Sequence, residues 1–248
     1  MEIIGYSERG ALNALFYGIA LDKNLEDKDE PIRRFLQLAG VEENFTDFGF
    51  ELYSEFSLSE FGNPDMIIIA KKKDNQDEKV VFFIEAKASC CKYYDLEKQK
   101  DYHDGTGEKN GFLTTKGHKD GHSSNLFFQL RLKHYFFTIR SYFWENVLEE
   151  KQKEFFDQKG NGFSNYDNKN GFILGRNGNR KIGENVVVRK MVEKLQDCKT
   201  AYYIAIIPKQ IKQDEKEVET NTNDYIRIDN NVVNKDKVVI KFGFDKEL

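Results

Sequence analysis

Proline and cysteine are scarce, three of each in 248 residues, and tryptophan occurs once. With so little proline and no low-complexity tract, a disordered or linker-dominated chain is excluded. Two cysteines are adjacent, Cys90 and Cys91, and the third is distant Cys198. That odd, irregular set cannot make the disulfide framework of a small secreted domain, so reduced thiols are expected. No apolar run approaches the ~20 residues that cross a bilayer. The first ten residues also lack a basic stretch followed by an apolar one, so a cytoplasmic location with no membrane insertion is the expectation. A surplus of one charge sign is missing too: the net charge is -4, so any polyanion site has to be a local patch. The best such patch is 169–199, where eight basic residues, among them Arg176, Arg180 and Lys181, face three acidic ones. A solvated helix face with its preceding loop is the plain reading of the same charges.

What is present suits a folded core: 39% hydrophobic and 14% aromatic residues. Ser7 is a good helix N-cap, and Leu12, Leu15, Phe16 and Ile19 follow at helical spacing. Glu8 falls on that same inward face, either as a first-turn charge complementing the helix dipole or as an acid with a partner. A second helix is expected over Pro31–Ala39, with Gly40 just beyond its end. Strands are expected at Phe50–Leu58, Met66–Lys73 and Lys79–Lys87, the last two joined as a hairpin by about five polar residues. After a long polar stretch, 88–125, a dense apolar helix covers 125–144. A short strand GFIL follows at 171–174, then a helix over 186–195, a strand at Ala201–Pro208, a charged connection, and a last strand at Lys237–Phe244. This order, with no internal repeat, predicts one α/β domain with a mixed sheet.

The chemistry concentrates at the mouth of the hairpin. Pro64-Asp65 opens one strand and Glu85-Ala86-Lys87 closes the other, directly after the apolar run VVFFI. A turn near Gln76 would place Asp65 opposite Lys87 and residue 67 opposite Glu85. In that register alternation puts both acids and the amine on one face. Two nearby carboxylates repel, and a hard divalent cation relieves the repulsion; Mg²⁺, which keeps several waters, fits best, with Mn²⁺ as a substitute. Lys87 would then orient a water or stabilise a charged phosphorus, and the reaction would be phosphodiester hydrolysis. An ordinary Asp–Lys cross-strand pair beside an exposed glutamate is the plain alternative, worth at most ~1 kcal/mol.

Asp65 after Pro64, followed by Glu85-Ala86-Lys87 at the end of an apolar strand, resembles the signature of the PD-(D/E)xK nucleases, the restriction-endonuclease-like superfamily. The surrounding elements resemble its αβββαβ core from about residue 7 to residue 208, with 209–248 as a C-terminal strand extension of a single 1–248 domain. The resemblance implies that Asp65, Glu85 and the Ala86 carbonyl bind the metal, that Lys87 is the catalytic lysine and that Glu8 supports the site. Gln129 lies where several branches carry a glutamine that holds the active site. The exonuclease-like branch has tyrosine four residues later, whereas this chain has Lys133, a candidate for reaching phosphate. The expectation is a Mg²⁺-dependent deoxyribonuclease, an endonuclease of restriction, defence or repair. Its glycine-rich stretches at 104–122 and 160–184 would contact phosphate. RNA is a further substrate class, and cutting both strands would suit a homodimer. The alternative is a catalytically silent nucleic-acid-binding or assembly module.

Other signals carry less. His118 and His122 near Cys90, Cys91 and His103 lack the spacing of a zinc knuckle. Gly175–Gly183 is not followed by Lys-Ser/Thr, as a phosphate loop requires, and no serine or histidine has an identifiable triad partner.

Overall fold

Residues 66–86 form the hairpin that their apolar density and alternation predict, and the remaining sheet assembles around it. A computed structural model describes residues 12, 16–19, 21–54, 56–58, 61–75, 77–87, 126–143, 150–151, 185–207, 225–228, 231–234 and 239–242. In chain order the elements are α1 (Glu30–Leu38), β1 (Phe48–Ser54), β2 (Met66–Lys72), β3 (Lys79–Ala86), α2 (Leu126–Ile139), α3 (Val186–Lys194), β4 (Cys198–Ile206), β5 (Tyr225–Ile228), β6 (Asn231–Asn234) and β7 (Val239–Phe242). The five-stranded sheet has the order β1-β2-β3-β4-β7. All its neighbours are antiparallel except β3 and β4, which run parallel. The fold is therefore α/β with a mixed sheet. No helix among the described residues is long and apolar enough to cross a membrane.

The chain divides into two compact units. One comprises Met1–Phe56, Pro64–Tyr94 and Asp197–Phe244, and the other Ser57–Asn63, Asp95–Gln196 and Asp245–Leu248. In the first unit the even-numbered residues of the central strands, Met66, Ile68, Ala70, Phe82, Ile84 and Ala86, pack with Ile32 and Leu36 of α1 and with Leu12 and Phe16. Phe45 joins this core edge-on to Phe82 at 5.5 Å and to Phe48 at 5.0 Å. The parallel register sets Phe82 beside Tyr202 and Phe83 beside Tyr203. Each pair stacks with rings inclined by 13°, so one aromatic pair lies on each face of the sheet. The odd face is apolar as well: Ile67, Ile69, Val81 and Phe83 are fully buried.

Local chemistry fixes the helix ends. Pro31 sits in the first turn of α1, and the Asp27 carboxylate accepts from the Asp29 N–H and from the Arg33 guanidinium, which holds it below the usual carboxylate range. Asn185 caps α3 by accepting from the N–H groups of Val187 and Val188. Arg140 finishes α2, donating to the carbonyls of Phe137 and Leu195 with its guanidinium over the Phe137 ring.

Three expectations are corrected. β1 covers Phe48–Ser54 rather than Phe50–Leu58, because its partner starts at Met66 and leaves nothing beyond Ser54 to pair with. β4 begins at Cys198, three residues early, since the parallel ladder on β3 starts at Lys79. The charged connection contains two further strands, β5 and β6, which pair antiparallel with Ile228 opposite Asn231. The GFIL strand lies outside the described residues. Replacing Phe82 with alanine empties the centre of the core; Phe82→Ala should lower the unfolding free energy by about 3–5 kcal/mol, read from denaturant titration.

Candidate active site

Asp65 and Glu85 stand where the β2–β3 ladder runs out. Met66 pairs with Ile84, and one residue outward the Asp65 N–H donates to the Ile84 carbonyl at 3.1 Å. The expected register, Asp65 opposite Lys87, is thus displaced by two residues: Ile67 faces Phe83 and Met66 faces Ile84, and the ladder stops there, short of Asp65 and Glu85. The cause is the turn, which centres on Asn75 and not on Gln76. The Lys72 N–H donates to the Glu78 carbonyl, and Asn75 accepts the Glu78 N–H on its carbonyl and the Asp77 N–H on its side chain. A shift of two residues, unlike a shift of one, leaves every side chain on its original face.

With the even residues of β2 and β3 in the core against α1, alternation assigns Glu85 to the odd face; Asp65 comes just before the first paired residue of β2, and Lys87 follows the last residue of β3. All three are buried, with 4%, 1% and 8% of their surfaces exposed. The plain alternative of an exposed glutamate at a strand end is therefore corrected: the hydrophobic strand that carries Glu85 continues to be covered past its last apolar residue. Burial of ionised groups costs several kcal/mol each (about that order) unless they are paired, bonded or ligated.

The backbone shows how Asp65 is held. The Lys87 N–H donates to the Ile206 carbonyl of β4 at 2.7 Å, so the peptide groups of residues 84 and 86 turn the other way, toward β2. There the Ala86 N–H donates to Asp65 Oδ2 at 2.7 Å, a short bond of the charge-assisted kind. The Ala86 carbonyl points to the same side, past the end of β2, where Pro64 has no N–H to offer. Carboxylate and carbonyl oxygens are the ligands a hard cation such as Mg²⁺ takes, and Asp65, Glu85 and Ala86 are the residues that would supply them at this strand end. No cluster of three or more His, Cys, Asp or Glu side chains fit to hold a metal occurs among the described residues.

The remaining candidates are distributed elsewhere. Gln129 and Lys133 lie one turn apart on α2, in the second unit. The Gln129 side-chain oxygen is enclosed and accepts no hydrogen bond among the described residues, and Lys133 is completely buried. Glu8, Arg176, Arg180 and Lys181 lie outside the described residues. Of the basic segment, Arg189, Lys190, Lys194 and Lys199 are described, all exposed, the first three on α3 and Lys199 on β4.

Sequence reasoning missed a polar group on the odd face. Glu51 of β1 accepts from the Tyr53 hydroxyl and from the Lys71 ammonium. Tyr53 lies across from Ile67, one pair short of Asp65's end of β2. The signal was legible, since Glu51 and Tyr53 alternate with Phe50 and Leu52.

Burial first, and the Glu51 carboxylate second, push the Tyr53 phenol above its ordinary value of 10.0. A raised folded value means that the phenol's stabilising bond is intact below the ordinary range and is lost as pH rises through the folded value. Tyr53→Phe should therefore leave the phenolate absorbance unchanged up to about pH 11, a result that spectrophotometric titration reads directly. For Asp65, the alanine variant strips the Ala86 N–H of its acceptor while Asp65→Asn keeps one. Calorimetric melting should place Asp65→Ala about 1–3 kcal/mol below Asp65→Asn in stability. Compared with protein-family models, curated proteins and solved structures, the chain matches none.

Proposed function

We propose that this protein is a metal-dependent nuclease that hydrolyses phosphodiester bonds of DNA, with Asp65, Glu85 and the Ala86 carbonyl holding Mg²⁺ and Lys87 acting as the catalytic lysine. The observation that carries the reading is the burial of two acids and an amine where the β2–β3 ladder ends, with Asp65 Oδ2 accepting the Ala86 N–H. Charges are not placed there to stabilise a core, because desolvation of three ionisable groups works against folding. They suit a polar reacting centre with its charges pre-arranged. The resemblance of Pro64-Asp65 and Glu85-Ala86-Lys87 to the PD-(D/E)xK signature, and the run of three antiparallel strands, helices and a parallel strand, support the same reading.

Each residue then has a distinct task. Asp65 is fixed by the Ala86 N–H, so its carboxylate arrives oriented and loses little entropy on binding. Glu85 is fixed by its place between Ile84 and Ala86, where β3 pairs with β4 and Glu85 lies opposite Ala205. The Lys87 ammonium follows two residues on, where it can hold the attacking water or offset charge on the phosphoryl oxygens. Bound Mg²⁺ supplies Lewis acidity toward the phosphate and lowers the pKa of water. The buried surroundings strengthen each of these interactions relative to bulk water.

Purified protein incubated with supercoiled DNA, linear DNA and RNA, in Mg²⁺, Mn²⁺ or EDTA, tests the reading. Nicking of circular DNA that stops on chelation is the expected result; degradation only from ends would reassign it to an exonuclease, and loss of RNA alone to a ribonuclease. Asp65→Ala, Glu85→Ala and Lys87→Ala should each lower cleavage by about 100-fold or more. Wild-type activity in all three would overturn the assignment, and a wild-type protein that takes up no Mn²⁺ by calorimetry would favour a silent binding module.

A further inference from the structure

At the edge of the five-stranded sheet, β1 ends in an aromatic pair, with Tyr53 next to its last residue and Phe56 just beyond it. The two rings meet edge to face, their centroids 6.1 Å apart and their planes inclined by 87°. In such a pair the edge of one ring covers at most one face of the other, so each ring keeps a face that its neighbour does not cover. Both residues are only half-buried, whereas Ile67 and Phe83 on the adjoining strands have no exposure at all.

Tyr53 is held by its polar end. Its hydroxyl donates to one oxygen of the Glu51 carboxylate, and the other oxygen accepts from the Lys71 ammonium of β2. The lysine balances the charge of that carboxylate, and the phenol, kept protonated by burial and by Glu51, adds no negative charge of its own. What Tyr53 presents to a ligand is therefore a ring in a fixed orientation, beside no uncompensated anion that would repel phosphate.

The pair also stands near the acids. Tyr53 lies opposite Ile67, and Ile67 opposite Phe83, so the three share a face with Glu85, two residues after Phe83. Two strand spacings and one two-residue step put Tyr53 roughly 12 Å from Glu85, Cα to Cα. Ser54, the residue after Tyr53, pairs with Met66, the residue after Asp65.

We infer that Tyr53 and Phe56 form a stacking platform for an unpaired base of a single DNA strand whose backbone passes the acids at the ends of β2 and β3. Every base has a π-face that such rings accept whatever the sequence, while the bases of an intact duplex stack on one another and present only their edges. The substrate class is then DNA with unpaired bases beside the cut, in preference to relaxed duplex. That consequence rests on the nuclease reading above, but the binding surface does not.

The probe is a single-stranded DNA oligonucleotide with one adenine replaced by 2-aminopurine, mixed with the full chain in EDTA so that it is bound and not cut. The same sequence as a duplex and as single-stranded RNA gives the comparison. The single DNA strand should bind about 10-fold more tightly than the duplex, with the 2-aminopurine fluorescence quenched on stacking. Tyr53→Leu, which removes the ring, should weaken single-strand binding about 10-fold and relieve the quenching, while Tyr53→Phe should stay within about twofold of wild type. Both variants lose the bond to Glu51, so the difference between them reports the ring and not that bond. Phe56→Leu should act like Tyr53→Leu and carries the measurement if Tyr53→Leu does not fold. No binding of the single strand, equal or tighter binding of the duplex, binding of the RNA strand alone, or wild-type affinity in the folded leucine variants overturns the inference. Mn²⁺ calorimetry and cleavage assays on the wild type keep the two readings apart. If the leucine variants lose single-strand affinity but the wild type binds no metal and cuts nothing, the platform stands and the nuclease falls; if the wild type cuts DNA and the leucine variants bind as it does, the reverse holds.

Discussion

A strand that outlasts its neighbour leaves an amide with nothing to bond to, and in this protein the Asp65 carboxylate fills that gap for Ala86. Burial makes the substitution compulsory, because an orphaned donor inside a sheet costs ~1–3 kcal/mol. The features around it follow in turn. The acceptor has to be a short acidic side chain at the residue just before β2. The residue before it has no N–H, so the β2 ladder ends there, and the Ala86 carbonyl is left pointing the same way as its amide. One hydrogen bond thus brings a carboxylate, a carbonyl and the following lysine to the same strand end.

The sheet tolerates this cluster because nearly everything else on its two faces is apolar. Phe82–Tyr202 on one side and Phe83–Tyr203 on the other bind β3 to β4 through stacked rings along the parallel register. The even residues are sealed by α1 and Phe45. A buried leucine-sized side chain contributes ~1.5–3 kcal/mol, so a handful of these positions offsets the desolvation of a few charges at one edge. The second unit makes a comparable concession for Lys133 of α2, which is fully buried.

Much of this was legible in the sequence. β2 and β3 were recognisable within a residue at their ends because MIIIA and VVFFI are too short for helices and too apolar for exposed strands. α1 announced itself through Pro31 and Gly40. The register was misjudged because nothing in DNQDE reveals that Asn75 takes the apex. The β5–β6 pair was missed because YIRI and NVVN are each four residues long and surrounded by charge, although Asp229-Asn230 between them is turn chemistry. The burial of Lys133 was illegible for a different reason. No local pattern distinguishes a lysine enclosed by the fold from one that faces water.

The parallel pairing of β3 with β4 joins stretches of chain separated by more than a hundred residues. Lys87 depends on that distant strand through its bond to Ile206. During synthesis the hairpin with its two acids emerges from the ribosome long before β4 does, and a loop of that length closes slowly against its entropy. The acids and the lysine can therefore be made early yet acquire their final arrangement only when translation has passed Ile206, so a nascent chain of this protein carries all three ionisable groups without the means to align them.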